Sequence, residues 1–369
     1  MVVVSANTSW NIYNFRRPLI RGLHAAGYSV CVVAPQDKYT EKVRELGCEF
    51  REIEIWPRST NILREIRTLY QYWRLYSSIK PTLVLQFTVK PVLYGTIAAK
   101  LLGTKVLNTI TGLGAPFIWQ TSVTRVIELL YKVTLRISDG VYFQNNDDRL
   151  LFIRRSLIKE SRAQIIPGSG IDLNRFPLAP MSRSTECTFL FVGRGIRDKG
   201  IVEYLNATRI LTARYSYVRF QLLGAIPSSR TTDSIAIMLQ SAINEEQIEY
   251  LGDFEDVYPM ICAATCVVLP SYREGLPRSL LEGSSTGRPL VATDVPGCRD
   301  VVVDNVSGFL CRPKDSEDLA NKMEKIVLLS HRSREQMGLN GRKYVGENYD
   351  ADIVVSKVLR EIEEILNIV

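Results

Sequence analysis

Short runs rich in Val, Ile and Leu alternate along the first half of the chain with longer segments of helical period. Near-continuous apolar runs of this kind predict strands buried on both faces of a parallel sheet, with the intervening helices covering that sheet. The first half is therefore predicted to be a doubly wound α/β domain. The first residues of the chain also look like a strand, and the clearest strand candidates are YSVCVVAP at 28–35, PTLVLQFT at 81–88, KVLNTITG at 105–112 and GVYFQN at 140–145.

The same alternation starts again after a Pro- and Gly-containing stretch at 167–180. The second set of strand candidates is TFLFVGR at 188–194, RFQLLG at 219–224, IEYLGD at 248–253, CVVLPS at 266–271 and PLVATD at 289–294. We therefore expect an N-terminal domain over 1–180 and a C-terminal domain over 181–349. Two such sheets facing each other form a cleft at the carboxyl ends of their strands, where ligands bind in this class of fold.

The last segment, 350–369, is helical by pattern. Its apolar stripe consists of Ile353, Val354, Val358, Ile362 and Ile365. Such a stripe must be buried against a neighbour. The helix can pack on either domain, and a return to the N-terminal domain is one of the two arrangements.

The charge of the chain is unevenly distributed. The net charge is +7, but residues 1–180 contain 24 Lys and Arg against 13 Asp and Glu, a balance of +11, and the remainder is acidic. A basic surface can bind nucleic acid, anionic lipid or a phosphorylated substrate, and charge alone does not choose among them; a scattered, solvated surface is the alternative. The sequence has no segment long and apolar enough to span a membrane and no signal peptide at its start, so we expect a cytoplasmic protein.

Two glutamates follow the strand at 266–271, within the segment SYREGLPRSLLE. Glu274 lies in a Gly- and Pro-containing turn, and Glu282 lies about two turns into the helix that is predicted to begin near Pro277. The free N–H groups and positive dipole end of that helix suit a diphosphate, and the carboxylates can accept hydrogen bonds from sugar and ribose hydroxyls. The pair is also compatible with a turn residue and a solvated helix position.

A second loop with ligand-binding chemistry follows the strand at 188–194. Its sequence, GRGIRDKG over 193–200, combines three glycines with the cations Arg194, Arg197 and Lys199. Glycine lets the backbone approach a ligand closely, and Arg194 and Lys199 suit phosphate oxygens. The spacing G-x-G-x4-G fits neither a Walker loop nor the dinucleotide fingerprint. By itself the segment is also compatible with an ordinary strand-to-helix turn.

Together and in this order, the two loops resemble the retaining glycosyltransferases of family 4. The resemblance covers nearly the whole chain and is most specific in the E-x7-E arrangement of Glu274 and Glu282. The segments YLGDFEDVYP at 250–259 and TDVPGCRDVVVDNVSGFLC at 293–311 support it. It implies the GT-B fold, in which a Rossmann-like acceptor-binding domain and a Rossmann-like domain for the nucleotide-sugar donor face each other across a cleft.

The resemblance also implies a role for each matching residue. Arg194 and Lys199 are expected to clamp the donor diphosphate, Glu282 to hold the ribose, and Glu274 to meet the transferred sugar together with the backbone that follows it. The nucleobase is expected near Tyr250–Phe254. The implied catalytic set is Glu274, Arg194 and Lys199. The implied donor-binding set is Gly193, Arg194, Lys199, Phe254, Glu274, Gly275, Leu276, Pro277, Ser279, Leu280 and Glu282.

Enzymes of this type are expected to retain anomeric configuration by same-face attack, with the leaving phosphate assisting removal of the acceptor proton. No metal and no cofactor is expected, because Arg, Lys and the helix end neutralise the leaving group. The Asp-x-Asp pair, Asp350 and Asp352, lies in the terminal helix far from the motifs, and we interpret it as a helix-start pair.

Two features depart from the family pattern. The loop after the first strand reads SANTSWNIYNFRR and lacks a Gly-Gly pair, and no motif assigns His24 or His331 to the family's first-domain histidine. The loops FTVKP at 87–91 and TITGLGAPF at 109–117 instead resemble a branch that builds lipid-linked O-antigen, capsule or N-glycan precursors from hexose or N-acetylhexosamine donors. The acceptor-side candidates are Asn14, Arg16, Lys90, Thr111 and Gly112. Strand capping by Lys90 and a turn at Gly112 are equally compatible with the sequence.

A basic, aromatic helix is predicted within 61–80. Its apolar stripe is Ile62, Ile66, Leu69, Trp73 and Tyr76, and the basic residues off the stripe are Arg64, Arg67, Arg74 and Lys80. This composition is typical of helices at a lipid interface, and it is equally typical of a core-packing helix with a solvated back.

The sequence thus favours transfer of a hexose or N-acetylhexosamine from a nucleotide diphosphate sugar, by preference a UDP sugar, to a polyprenyl-diphosphate-linked or other envelope glycan. The expected location is the cytoplasmic face of the inner membrane, on an anionic surface. A UDP-sugar 2-epimerase of the same fold and a catalytically silent, nucleotide-binding membrane partner are the alternatives. Nucleic-acid binding is not expected, because the basic residues are dispersed and form no reader motif.

Overall fold

The computed structural model describes residues 1–56, 59–113, 117, 122–227 and 234–367. The chain divides into two units, one formed by residues 1–170 with the chain from 351 onward and the other by residues 171–350. Each unit contains one parallel sheet covered by helices, so the predicted pair of doubly wound α/β domains is confirmed.

The first unit contains a seven-stranded sheet of order β3-β2-β1-β4-β5-β6-β7, in which every neighbouring pair is parallel. Its central strands are buried on both faces, which explains their continuous apolar sequences. The strands are β1 Val2–Ser5, β2 Val30–Ala34, β3 Glu49–Glu52, β4 Leu83–Phe87, β5 Lys105–Ile110, β6 Gly140–Phe143 and β7 Ala163–Ile165.

The helices of the first unit connect these strands. A π-helical turn, Pro91–Gly95, immediately precedes α5. The helix α5 packs against both α4 and α6. The α-helices are α1 Ser9–Phe15, α2 Arg17–Ala25, α3 Thr40–Arg44, α4 Ile62–Ile79, α5 Thr96–Leu101, α6 Ser122–Ile137 and α7 Asn146–Arg154.

The second unit contains a six-stranded parallel sheet of order β10-β9-β8-β11-β12-β13. Its strands are β8 Cys187–Val192, β9 Val218–Leu223, β10 Glu249–Gly252, β11 Cys266–Leu269, β12 Leu290–Thr293 and β13 Gly308–Cys311. Its helices are α8 Ile201–Thr212, α9 Ser234–Asn244, α10 Tyr258–Ala263, α11 Arg278–Ser285, α12 Cys298–Val301, α13 Ser316–Leu328 and α14 His331–Tyr349.

The last helix, α15 Ala351–Leu366, packs on the first unit. Its side chains Val354, Val358 and Ile362 are buried in the same core as the apolar face of α2. Residues 368–369, the end of the predicted helical segment, lie outside the described residues.

The division between the units falls at residue 170, ten residues before the boundary expected from the sequence. The intervening segment belongs to the second unit because Ile171 and Phe176 are buried in its core. The Ile171 N–H also donates to the Tyr349 carbonyl at 2.8 Å, and Arg342 donates to the Phe176 carbonyl at 2.7 Å.

Candidate functional site

The two predicted donor loops of the second unit meet at the point where its strand order reverses. In the sheet, β8 has β9 on one side and β11 on the other. The chain leaves β8 towards β9 and leaves β11 towards β12, so these two connections run in opposite directions. In open α/β sheets this divergence leaves a crevice at the carboxyl ends of the strands, and ligands bind there. The loop at 193–200 follows β8, and the loop at 270–277 follows β11.

The loop after β8 closes on the end of β11 through Gly200. Arg197–Lys199 form a single 3-10 turn, and Gly200 follows in the left-handed region at φ 75°. A Cβ at Gly200 would overlap the carbonyl oxygen of Pro270, so both the backbone conformation and the available space require glycine.

Three hydrogen bonds fasten the loop after β11, two to the loop after β8 and one to the helix α8 that follows it. The Tyr272 N–H and the Ser271 hydroxyl both donate to the Asp198 carbonyl, at 2.9 and 3.0 Å. The Tyr272 hydroxyl donates to the Glu203 carboxylate, on the first turn of α8, at 2.8 Å. These bonds hold the 3-10 turn that carries Lys199 beside the loop that carries Glu274.

Lys199 and Glu274 form an ion pair between the two loops. The side chains are partly sheltered, with 24% and 12% of their surfaces exposed. Arg194 lies in the same loop but is exposed, and none of the ion pairs found in the described part of the chain includes it. Of the two predicted phosphate-binding cations in the loop after β8, Lys199 is therefore joined to a motif glutamate, whereas Arg194 is open to a ligand.

The Glu274 loop is supported from behind by a close backbone contact. Gly297 has φ 82°, and a Cβ there would lie 2.7 Å from the Gly275 carbonyl oxygen and 2.8 Å from that of Glu274. The Glu274 N–H donates to the Pro296 carbonyl at 3.1 Å. The backbone around Glu274 is thus fixed before any ligand arrives.

The helix α11 begins directly after this loop, as predicted. Pro277 is its N-cap residue, and no side chain caps the helix among the described residues. The N–H groups of a first helical turn have no intrahelical acceptors and attract anions. Leu276 and Ser279 are half-buried, while Leu280 is fully buried in the core and can meet a ligand through its backbone alone.

Glu282 is a buried carboxylate held by a neighbouring cation. Arg278 donates through Nε to Glu282 at 3.0 Å. Burial raises the pKa of Glu282, and the positive charges of Arg278 and Arg175 oppose that rise. The negative charge of Asp256 raises the pKa of Glu282, as burial does. The sequence predicted Glu282 but missed Arg175 and Asp256, because both come from segments distant in the chain.

Glycines at the ends of β8, β9 and β10 bring the backbones of these strands close together. The Gly224 N–H donates to the Gly252 carbonyl at 2.8 Å, and a Cβ at Gly224 would overlap the Gly193 carbonyl oxygen. Phe254 lies beside Gly252 with 57% of its surface exposed. An exposed aromatic ring at this edge offers a flat apolar surface.

The acceptor-side candidates of the first unit occupy different surroundings. Arg16 is buried, with its guanidinium carbon 3.9 Å from the centre of the Phe87 ring at the end of β4. The Asn14 side chain donates to the Trp10 carbonyl at 3.1 Å, within its own helix. Thr111 and Gly112, at φ 114°, follow β5 and are half-buried. Residues 114–116 of the predicted loop lie outside the described residues.

Lys90 is engaged by the helix α4. Its ammonium group donates to the Glu65 carboxylate and to the Ser59 carbonyl, the latter at 3.0 Å. Both members of the pair are largely sheltered from solvent. The charge of Lys90 is therefore already paired within the protein. This contact gives Lys90 a structural role, whereas the sequence left both a structural and an acceptor-binding role open.

The helix α4 exposes part of its predicted stripe. Ile62, Ile66 and Trp73 are exposed, Leu69 is half-buried and Tyr76 is buried, because the helix is rotated so that Thr68, Tyr72 and Tyr76 face the core. The complete set of exposed large apolar residues on α4 is Ile62, Leu63, Ile66, Tyr70 and Trp73.

The described residues contain no cluster of three or more side chains suited to hold a metal ion. The helices of the described chain include none that combines the length and the apolar character needed to cross a bilayer.

Two family models match the chain, one in each half. Residues 2–145 match the model described as glycosyl transferase 4-like, and residues 179–344 match glycosyl transferases group 1.

Curated relatives match over most of the chain. An N,N'-diacetylbacillosaminyl-diphospho-undecaprenol alpha-1,3-N-acetylgalactosaminyltransferase of Campylobacter jejuni is 26% identical over 96% of both chains. A UDP-Gal:alpha-D-GlcNAc-diphosphoundecaprenol alpha-1,3-galactosyltransferase of Escherichia coli is 22% identical, with 81% of this chain and 83% of the relative covered.

Solved structures share the fold across the whole chain. A glycosyltransferase from Rickettsia africae superposes with a TM-score of 0.81 at 16% identity, covering 99% of this chain and 98% of the other. Anabaena HepE in complex with UDP and glucose superposes with a TM-score of 0.80 at 17% identity, covering 98% and 99%.

Proposed function

The chain belongs to the GT-B glycosyltransferases of the group 1 and family 4-like type, and we propose that it transfers a hexose or N-acetylhexosamine from a UDP sugar to a polyprenyl-diphosphate-linked glycan. Glycosyltransferase activity follows from the family, whereas the donor, the acceptor and the stereochemistry are parts of the proposal. An epimerase that uses the donor alone is less well supported, because the relatives named above are transferases that act on diphospho-undecaprenol glycans.

The donor assignment depends chiefly on the two loops held together at the β8/β11 crevice. Lys199 and Arg194 supply positive charge, and the first turn of α11 supplies backbone donors, which is the chemistry that binds a diphosphate. Glu282 accepts from ribose hydroxyls, and Phe254 provides a surface for the base. The choice of UDP is supported by the galactosyltransferase relative, whose name specifies a UDP sugar, and by the UDP complex of HepE.

The proposed reaction retains the configuration at the anomeric carbon. The bond between the sugar C1 and the diphosphate oxygen breaks, an acceptor hydroxyl oxygen forms the new bond on the same face, and its proton passes to the leaving diphosphate. Arg194, Lys199 and the start of α11 stabilise the charge that develops on that diphosphate, so neither a metal nor a cofactor is required. Glu274, with the backbone of Gly275, positions the transferred sugar.

Membrane attachment forms a further part of the proposal and involves two helices of the first unit. We call their exposed apolar residues the apolar helix face: Ile62, Leu63, Ile66, Tyr70 and Trp73 of α4, and Val126, Leu129, Val133 and Ile137 of α6. The α6 residues form a stripe at helical spacing, flanked by exposed Arg125 and Arg136.

The apolar helix face suits an anionic bilayer in both composition and charge. α5 packs between α4 and α6, and the exposed Arg64, Arg67 and Arg74 border the α4 part. Apolar side chains that enter the headgroup region beside Arg and Lys are typical of interfacial helices. We propose that this face rests on the cytoplasmic side of the inner membrane, where a polyprenyl-linked acceptor is displayed.

The test is a panel of UDP and GDP sugars offered with a short-chain polyprenyl-diphosphate sugar as acceptor. Nucleotide release and the mass of the lipid-linked product are measured together. Release of UDP with a mass gain of one hexose or N-acetylhexosamine is the expected result. Conversion of the donor without a lipid-linked product would support the epimerase, and nucleotide binding with no turnover of any donor would support a catalytically silent partner.

A further inference from the structure

Thr88 has an unusual backbone conformation at the end of a central strand. It follows β4 directly and has φ 67°, in the left-handed region. The described chain contains other non-glycine residues with positive φ, of which Lys80, Ser156 and Glu246 lie within two residues of a helix end, but Thr88 is the one that is β-branched. For a β-branched side chain this region is a genuine outlier.

Such a conformation is costly and needs support from its surroundings. A residue held in a sparsely populated region costs on the order of 1–3 kcal/mol, and such residues concentrate at ligand sites. At Thr88 the hydroxyl oxygen accepts a hydrogen bond from the Asn7 N–H at 3.2 Å, and the carbonyl accepts one from the Val92 N–H at 3.2 Å. Glycine or asparagine would adopt this φ at lower cost, so the chain carries threonine here against its backbone preference.

Thr88 lies at the reversal of strand order in the first unit. β1 pairs with β2 on one side and β4 on the other, and the register aligns Ser5 with Gln86. Asn7 and Thr88 each lie two residues beyond that aligned pair, at the carboxyl ends of the strands. This is the position at which open α/β sheets bind ligands. Thr88 is half-buried there, so it is sheltered but reachable.

The hydroxyl of Thr88 is oriented by the bond that it accepts. A threonine hydroxyl carries one hydrogen and two lone pairs, and the Asn7 N–H occupies a lone pair. Among the described residues, the hydrogen bonds found include none that this hydroxyl donates. Its hydrogen is therefore available to an oxygen atom of a ligand. Arg16, stacked on Phe87, places a guanidinium next to the residue that precedes Thr88.

We propose that the Thr88 hydroxyl, held by Asn7 in the β1/β4 crevice, donates a hydrogen bond to an oxygen of the acceptor's diphosphate-sugar head. The inference rests on the proposed function for the identity of the acceptor. It assigns to Thr88 a binding role that explains why a strained β-branched residue is kept at this position.

Two substitutions separate the hydroxyl from the side-chain shape. Thr88→Val keeps the β-branch and the strain but removes the hydroxyl, whereas Thr88→Ser keeps the hydroxyl and removes the branch. Loss of one hydrogen bond is worth about a 2- to 10-fold change in affinity. The expected result is an acceptor Kd and KM raised by that factor in Thr88→Val, unchanged in Thr88→Ser, with the donor KM unchanged in both.

Thr88→Gly provides a second variant without the hydroxyl, because glycine adopts the left-handed conformation without strain. It is expected to raise the acceptor Kd as Thr88→Val does, even if the valine variant folds poorly. Affinity should thus follow the hydroxyl and not the melting temperature. Unchanged acceptor affinity in folded Thr88→Val or Thr88→Gly, or equal losses in Thr88→Ser, would overturn the assignment.

Acceptor binding is measured without donor, by titrating the short-chain polyprenyl-diphosphate sugar into each protein. This separates the inference from the proposed function. Wild type that binds the acceptor but transfers no sugar contradicts the proposed function and leaves the Thr88 comparison intact. Wild type that fails to bind the acceptor contradicts the inference itself.

Discussion

The two motif glutamates have closely matched surroundings, which allows their roles to be separated by the same substitution. Glu274 pairs with Lys199, and Glu282 pairs with Arg278. The glutamate side chains expose 12% and 11% of their surfaces. Glu274→Ala and Glu282→Ala therefore each remove a sheltered carboxylate and break its ion pair with a neighbouring cation.

The structural cost of the two substitutions should be similar. Breaking a partly buried, charge-assisted hydrogen bond costs about 1–3 kcal/mol. For units of this size, a loss of that order lowers the melting temperature by roughly 2–4 °C per kcal/mol. The melting temperatures of the two variants are therefore expected to fall by comparable amounts, and any kinetic difference between them reports on function.

The kinetic consequences should differ. Glu274 is assigned to the sugar that undergoes substitution, where misplacement of a reacting group costs about 10²-fold in rate, so Glu274→Ala should depress kcat. Glu282 is assigned to the unreactive ribose, so its loss should raise the donor KM and leave kcat near the wild-type value. Loss of a hydrogen bond to a charged group corresponds to an increase in the donor KM of about 10-fold or more.

The assay measures initial rates over a range of donor concentrations at saturating acceptor, with thermal melts of every variant. Glu274→Gln serves as the conservative partner of Glu274→Ala and should be milder, because an amide still accepts from a hydroxyl. A folded Glu274→Ala protein with wild-type turnover would remove this motif from the active site. Equal effects of both substitutions on the same kinetic parameter would refute the division of roles.

Four further outcomes are expected. Burial raises the pKa of Glu282, so the folded protein binds the carboxyl proton more tightly than the unfolded chain and loses stability as pH rises between the ordinary and the raised pKa. Because glutamine does not titrate, the melting temperature of Glu282→Gln relative to wild type should increase from about pH 4 to about pH 7. A difference that stays constant with pH would contradict the raised pKa. Gly200→Ala should destabilise the second unit by about 3 kcal/mol or more in denaturant unfolding, because its Cβ meets a backbone carbonyl; a smaller loss would contradict the close approach. Transfer should persist in excess EDTA, and activity restored specifically by magnesium or manganese would contradict the metal-independent mechanism. Co-sedimentation with vesicles of phosphatidylcholine and phosphatidylglycerol should weaken as salt rises. It should also weaken in Leu63→Glu but not in Ile237→Glu, which replaces an exposed apolar residue of the second unit. Vesicle binding unaffected by Leu63→Glu would contradict the proposed membrane face.

Sequence analysis identified the inner strands of both sheets and the partly exposed edge strand β10, but not the edge strands β3, β7 and β13. Continuous apolar runs give a strong signal, and β2, β4 and β5 of the first unit all carry one. Edge strand β3, with the sequence EFRE, has no such run and was not predicted. Its pairing with β2 is a long-range property of the sheet, which local periodicity does not report.

The donor loops were predictable because they follow strands and carry residues of distinctive chemistry. Their attachment to each other was not, since the contact of Tyr272 with Glu203 joins residues far apart in the chain. The side-chain partner of Lys90 was likewise hidden, because Glu65 lies on another element. Thr88 lies in the loop FTVKP that the sequence singled out, but its strained φ is visible only in the folded backbone.

The central claim is that the loop after β8 binds the diphosphate of a nucleotide donor, and calorimetric titration of UDP and GDP tests it most directly. The matched variants are Arg194→Ala, at the crevice, and Arg219→Ala, an exposed arginine near the amino end of β9. Loss of a charge-assisted hydrogen bond raises the Kd about 10-fold or more. The account predicts that wild type binds UDP, that Arg194→Ala weakens binding by at least about tenfold, and that Arg219→Ala binds as wild type does. Wild type that binds neither nucleotide, or equal affinities of the two variants, would contradict it.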